Sequence, residues 1–228
     1  EVKKGGGIAA VSFVPQNAKR MAPLAVEAGA DMIVVQGTVV TARHSSKSLK
    51  GLVFSDMIKD LDVPVLVGNT VSYEVTKELM QQGIAGVMVG VGPGSVCTSR
   101  EVLGIGIPQV SATIECAAAR DDFFKETGKY IPIITDGGIR TGGDVCKSFA
   151  AGANAVMIGS PFAKTEEAPA KGFHWGMATW HDSLPRGTRI NMGTEYSLDQ
   201  LLYGPSSRTD GTLNLVGALQ VCMGYVGA

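Results

Sequence analysis

The chain has 228 residues, 45% of them hydrophobic and 18% charged, with a net charge of -1. That length buries a real core as one large domain or two small ones, and the balanced charge leaves no electrostatic footprint for nucleic acid or an anionic membrane surface. No apolar run reaches the roughly 18–20 residues of a membrane span, and the charged start EVKKGGGIAAVSFVP lacks a signal-peptide cleavage pattern.

In chain order, GIAAVSF (Gly7 to Phe13) predicts a first strand and QNAKRMAPLAVEAG a helix ending on Gly29. VEAGADMIVVQG (Val26 to Gly37) carries the second strand and VPVLVGN, around Pro64, the third. YEVTKELMQQG is helical, and MQQGIAGVMVG (Met80 to Gly90) turns at Gly83 into a fourth strand. After the loop GVGPGSVCTSREVLGIGIPQ come a helix at QVSATIECAAA and a fifth strand at IPIITDGG. TGGDVCKSFAAG is helical, and FAAGANAVMIGS (Phe149 to Ser160) turns at Gly152 into a sixth strand. Glycine ends these helices because φ > 0 costs it little, and continuous apolar runs suit strands buried on both faces. Strand and helix alternating predict a parallel sheet with helical crossovers. Every strand except the first ends in glycine or glycine with a polar residue: Gly37, Gly68-Asn69, Gly90, Asp136-Gly137-Gly138 and Gly159-Ser160. Chemistry spread over many strand ends favours a (β/α)8 TIM barrel over an open sheet, which concentrates it at one switch point. Only six strands are found, so the first two strand-helix units are expected to be missing. Residues 1–228 are read as one partial catalytic barrel domain. An irregular flap covers about 164–212, and LNLVGALQVCMGYVGA closes the chain as a helix.

Chemistry-bearing residues gather at the strand ends. Cys97 sits in a loop whose Gly90, Gly92 and Gly94 permit close backbone approach to a ligand or ion, with the hydroxyls of Ser95, Thr98 and Ser99 beside it. A thiolate there is a nucleophile for an electron-poor carbon, and the other reading is a turn with a buried cysteine. Cys116, Cys146 and Cys222 fall in apolar helical patterns and read as core, in no CxxC or His-paired metal spacing, so a reduced cytoplasmic compartment is expected. Asp136 ends a strand, where a carboxylate can accept paired hydroxyls, and the glycine backbone that follows can hold a phosphate; an N-cap aspartate in a βα turn fits equally. Gly159-Ser160 repeats the device on the next strand. Gln36 and Asn69 read as mouth residues or capping groups. His44, His174 and His181 have no metal spacing and read as structural or surface groups, and Glu195 as an exposed carboxylate. No Walker loop is present, and GVGPGS lacks the acidic partner of a dinucleotide fingerprint.

Together these segments resemble the IMP dehydrogenase and GMP reductase superfamily along nearly the whole chain. GVGPGSVCTSREVLGIGIPQ is similar to its catalytic cysteine loop, DGGIRTGGDVCKSFAAGANAVMIGS to its ribose and phosphate segment, and TEEAPAKGFHWGMAT to the entry of its flap. The resemblance implies that Cys97 attacks C2 of the purine of a nucleoside monophosphate, assisted by the hydroxyls of Thr98 and Ser99, the latter where the family carries threonine. It implies that Ser95, Gly138, Gly159 and Ser160 hold the 5′-phosphate, that Asp136 with Gly137 holds the ribose, and that Gly176 and Met177 approach the base. Asn69 and Gly90, with Gln36, fall where a nicotinamide cofactor is expected. The backbone carbonyls of Gly92, Gly94 and Cys97 are expected to bind a monovalent cation, normally potassium, and the protein to be a homotetramer. The dehydrogenase flap carries an adjacent Arg-Tyr pair that this chain lacks, although Arg186 and Arg189 are present, and SATIECAAA is similar to the reductase helix start. EAP (Glu167 to Pro169) is closer to the dehydrogenase, and Glu195 lies off register from the reductase's flap glutamate. On balance the expectation is NADPH-dependent reduction of GMP, with NAD-dependent oxidation of IMP and an inactive nucleotide-binding homologue as alternatives. No nucleic-acid or membrane partner is expected.

Overall fold

The computed structural model describes residues 2–42, 52–177 and 181–228. Six strands, β1 (Ala10–Phe13), β2 (Met32–Gln36), β3 (Val65–Thr70), β4 (Gly86–Val89), β5 (Ile133–Asp136) and β6 (Ala155–Met157), form one sheet in the order β1-β2-β3-β4-β5-β6. Every neighbouring pair is parallel. An open doubly wound sheet reverses its strand order at a switch point, whereas a barrel adds each new strand beside the last. The unbroken order is therefore that of a partial (β/α)8 barrel, as the strand ends predict.

The crossovers are α1 (Pro15–Glu27), α2 (Phe54–Lys59), α3 (Tyr73–Gln81), the short α4 (Ser99–Leu103), α5 (Gln109–Thr127) and α6 (Gly142–Ala150). Their starts are chemically marked. Pro15 occupies the first turn of α1, where its missing N–H costs nothing. Ser72 accepts from Val75 N–H to open α3, and Thr141 and Asp144 cap α6 reciprocally. Residues on β2, β3, β4 and β5, including Ile33, Val35, Val65, Val67, Val87, Val89 and Ile133, join Phe54, Leu79, Met80 and Phe123 from the helices in the main core. Each such side chain contributes about 1.5–3 kcal/mol by burial.

The stretch expected to be an irregular flap contains regular pieces. After α7 (Ser160–Ala163), strands β7 (Phe173–Trp175) and β8 (Arg189–Asn191) pair antiparallel, with His174 opposite Ile190. α8 (Leu198–Tyr203) and α9 (Leu215–Val226) come next. Tyr196, Leu201, Leu213 and Leu215 make a second, smaller core with Ile158 and Phe162. Among the described residues, no helix is long and apolar enough to cross a membrane.

Candidate functional site

The C-terminal ends of the strands open onto one cavity of about 410 Å³, within the range of small-molecule sites. All six strands contribute to its wall, through residues on or just beyond them: Ser12, Gln36, Asn69, Gly90, Asp136 and Gly159.

Its floor is a buried polar cluster. β3 slips register against β4 between Gly68 and Thr70, so Asn69 falls out of the ladder and its side chain is re-aimed. Gly68 makes this possible: a Cβ there would lie 2.5 Å from the Met88 carbonyl oxygen. The Asn69 amide donates to the Gly90 carbonyl at 2.7 Å and to Asp136 Oδ2 at 2.9 Å. Gln36 Nε2 donates to Asn69 Oδ1 at 2.9 Å and to Asp136 Oδ2 at 2.6 Å. From behind, Gln109 Nε2 donates to the carbonyls of Val89 at 2.7 Å and Asp136 at 3.3 Å. Burial pushes the Asp136 carboxyl above its ordinary range, while the bonds from Asn69 and Gln36 oppose that rise. Both side-chain bonds fall on Oδ2, which leaves Oδ1 for a ligand.

The cysteine loop forms a second wall. Cys97 N–H donates to the Gly94 carbonyl at 3.0 Å, closing the turn that presents the thiol. Its Sγ lies 3.5 Å from Ser99 Oγ, which is fully buried at the start of α4. The neighbouring Thr98 Oγ1 is buried without a hydrogen-bond partner. The other cysteines differ. Cys116 is fully buried, accepts from Thr76 Oγ1 at 3.1 Å and has its thiol pushed up to about 11 by burial. Cys146 and Cys222 stand on α6 and α9, away from the cavity.

The far end of the cavity is made by Ser95, Gly138, Gly159 and Ser160, and Gly176 and Met177 come from the segment after β7. The structure thus gathers Gln36, Asn69, Gly90, Gly92, Gly94, Ser95, Cys97, Asp136, Gly137, Gly138, Gly159, Ser160, Gly176 and Met177 around one space. Thr98 and Ser99 stand behind Cys97 and do not line it.

One sequence reading changes, and two flap residues gain partners. His174, read as a structural or surface group, lines the cavity with its Nδ1 3.1 Å from Ser160 Oγ. Arg186 reaches back from the flap so that its Nη2 lies 3.5 Å from Thr38 Oγ1 at the cavity rim, with its Nε buried and unpartnered. Glu195, read as an exposed carboxylate, is exposed, and it is bound by Lys164 at 2.6 Å and Arg208 at 2.8 Å. It borders a second cavity of about 330 Å³ that shares only Ser95 and Ser160 with the first. A lone histidine with no metal spacing gives no sequence signal. Its position is set by the β7–β8 pairing. His181 lies on the surface, and His44 lies outside the described residues.

The site can hold the groups the resemblance implies. The Gly94 carbonyl has one lone pair engaged by Cys97 N–H, and carbonyl oxygens suit a hard cation that demands no charged ligand. Beside β1 and β2, Ser12, Gln36 and Thr38 line the cavity with Val34, hydrogen-bonding side chains of the kind that suit a carboxamide. Asn69 has both amide protons and its oxygen engaged by the protein, so it acts there as scaffold.

A parallel barrel with a thiol, a hydroxyl pair and a buried carboxylate at its strand ends is an enzyme-type architecture. The IMP dehydrogenase / GMP reductase domain family matches residues 4–189, and the chain belongs to that family. It is 41% identical over 230 residues to an uncharacterized oxidoreductase of Mycolicibacterium smegmatis, covering 99% of this chain and 61% of that protein. It is 38% identical to the inosine-5'-monophosphate dehydrogenase of Aquifex aeolicus over 96% of this chain and 46% of the relative. A solved IMP dehydrogenase/GMP reductase-like protein from Corynebacterium glutamicum superposes with a TM-score of 0.89 at 38% identity, over 99% of this chain and 59% of that one. The chain spans about three fifths of the length of the first of these relatives.

Proposed function

We propose that the protein is an oxidoreductase of purine nucleoside monophosphates, acting through a covalent adduct between Cys97 Sγ and purine C2. The observation that carries this reading is that Cys97, Asp136 and Ser160 line one cavity, with Ser99 Oγ 3.5 Å from the thiol. The three groups match the three parts of a nucleotide. Ser160, Ser95 and the backbone of Gly138 and Gly159 take the phosphate, Asp136 Oδ1 accepts the ribose hydroxyls with Gly137 beside it, and the base lies under Cys97 with Gly176 and Met177 above it.

The leading reaction is reductive deamination of GMP. The thiolate of Cys97 adds to C2, and the C2–N bond to the exocyclic amine breaks. Ammonia leaves with a proton relayed by Ser99 and Thr98, the adduct is reduced at C2, and the C–S bond then breaks to give IMP and free thiolate. NADPH supplies the hydride, held on the side of Gln36, Asn69 and Gly90. The absence of an adjacent Arg-Tyr pair and the helix start SATIECAAA favour this direction. The second reading is oxidation of IMP with NAD followed by hydrolysis of the adduct. It is favoured by Arg186, whose buried, unpartnered Nε at the cavity rim is a group able to position water. Potassium on the carbonyls of Gly92, Gly94 and Cys97 stiffens the cysteine loop in either case, and a homotetramer in the cytoplasm is the expected setting.

The test tracks nicotinamide absorbance in the full chain with potassium present. Consumption of NADPH with GMP and release of ammonia supports the reductase, and formation of NADH with IMP supports the dehydrogenase. Bound nucleotide with no reaction in either mixture overturns both and leaves a nucleotide-binding homologue.

A further inference from the structure

Among the described residues, the wall of the main cavity contains no Lys and no Arg, and its one carboxylate is Asp136. Among them His174 is the one side chain on it that can carry a positive charge. It stands where the phosphate is proposed to bind, and its role there rests on that nucleotide reading. β7 carries the ring across the turn between β6 and α7. Nδ1 lies 3.1 Å from Ser160 Oγ, and a Cβ built on Gly159 would sit 3.0 Å from Cε1 and 3.1 Å from Nε2. A side chain at 159 would push the ring back by a few tenths of an ångström.

A nucleotide phosphate carries about -1.5 to -2 charges near pH 7. Among the described residues of this cavity's wall it would meet hydroxyls and backbone amides but no fixed cation; Arg140, Lys164 and Arg208 border the second cavity, which shares Ser95 and Ser160. We propose that His174 is the proton-linked anion contact of the cavity: its imidazole takes up a proton as the phosphate seats against Ser160, so nucleotide binding and protonation are one coupled event. The coupling selects a nucleoside monophosphate over the free nucleoside.

Three observations support this. Burial alone holds the His174 pKa below its ordinary value in the free protein, so the ring is neutral near pH 7 and has a proton to gain. A phosphate within hydrogen-bond reach favours the charged form and raises that pKa. Finally, of the surrounding charges Arg189, Lys164 and Arg208 are already committed. On β8, Arg189 lies over the rings of Phe173 and Trp175, at 3.7 and 5.3 Å, while uncharged Ile190 faces His174. α7 brings Ser160 and ends beside Lys164, whose ammonium is bound to Glu195 at 2.6 Å. Beyond Ser160, Arg140, Arg208 and Glu195 border the second cavity, and across the main one stand Cys97 and Asp136.

Calorimetric titration of the full chain with IMP, in buffers of different ionisation enthalpy, reads the proton directly. Wild-type protein should take up protons on binding IMP, and His174→Gln should lose most of that uptake. The second ionisation of the phosphate, near pH 6, contributes to both proteins and cancels in the difference. Affinity of the variant should fall about tenfold at roughly pH 6.5, the difference between a charge-assisted and a neutral hydrogen bond, and match wild type about two units higher. Inosine should show neither effect. If the substitution disturbs folding, NMR of the wild-type His174 Cε1–H gives the same answer: its titration should move up in pH when IMP binds. IMP binding with equal proton uptake in both proteins, or a titration unmoved by IMP, overturns the role of His174 and leaves the nucleotide site intact. Failure of wild type to bind IMP at all overturns the nucleotide reading itself.

Discussion

The floor of the cavity and its cysteine wall are built on opposite principles. On the floor, Gln36, Asn69 and Gln109 spend their amide protons on one another, on Asp136 and on strand-end carbonyls at 2.6–3.3 Å. Such a network fixes where the carboxylate points before any ligand arrives. In the cysteine loop, the thiol has a single contact at 3.5 Å, and the Thr98 hydroxyl beside it is buried with no partner. An unpaired buried hydroxyl costs about 1–3 kcal/mol. The floor is the more fully bonded of the two, although Gln109 Oε1 there is also buried without a partner. The two regions should accordingly fail differently when altered.

The largest effect is expected from Cys97→Ser. A hydroxyl in place of the thiolate should lower turnover by about a thousandfold or more, while nucleotide affinity stays within about threefold, because the floor is untouched. Equilibrium binding and steady-state rates on the same preparation check both halves, and retention of full activity would remove the covalent step. Gly68→Ala attacks the floor through the backbone. Its Cβ would meet the Met88 carbonyl at 2.5 Å and Met88 Cβ at 2.6 Å. An overpacking cost of about 1–3 kcal/mol is expected in denaturant unfolding, together with weaker nucleotide binding as Asn69 loses its aim. Unchanged affinity would show that the bulge at Asn69 does not set the position of Asp136.

Asp136→Asn separates the two roles of the floor. Loss of a charged acceptor should weaken nucleotide and nucleoside alike by about tenfold, with little change for the free base. Stability should move the other way. Burial raises the folded-state pKa of Asp136, so the stability associated with its protonated form is present at low pH and lost as pH rises through that pKa. Asparagine keeps the neutral form at every pH. The unfolding temperature of the variant should exceed that of wild type, by more at pH 8 than at pH 5. An equal or falling difference would show that the bonds from Gln36 and Asn69 outweigh desolvation.

The sheet and the cysteine loop were legible in the sequence because their signals are local. A helix ending on Gly83 or Gly152, then three or four apolar residues, then glycine, marks β4 and β6 without reference to anything distant. The β7–β8 ribbon has no such mark: its strands, FHW and RIN, are three residues each, too short for their alternation to stand out, and residues 176–188 between them are far longer than a hairpin turn. Their pairing is fixed by tertiary context, so His174 could not be placed beside Ser160, fourteen residues earlier in the chain. Gln109 was hidden for a related reason. Its role depends on where α5 begins relative to β4 and β5, and helix periodicity leaves that open.

The smallest effect concerns the flap. Glu195 holds Lys164 and Arg208 with all three side chains 26–38% exposed, so each pair is worth about 0.2–1 kcal/mol. Hydrogen bonds from Lys164 and Arg208 lower its pKa below the ordinary value of 4.5. That stability is fully present above the unfolded value and lost as pH falls through the folded one. Glu195→Gln removes both pairs and should therefore cost about 0.4–2 kcal/mol near neutral pH, and the cost should vanish in acid. Because Glu195 borders the second cavity rather than the one holding Cys97, turnover should change by less than about threefold even where stability drops. A collapse of GMP reduction with nucleotide binding preserved would mean that the flap carries this carboxylate to the thiol during turnover. The ion pairs with Lys164 and Arg208 would then be a resting arrangement that substrate breaks.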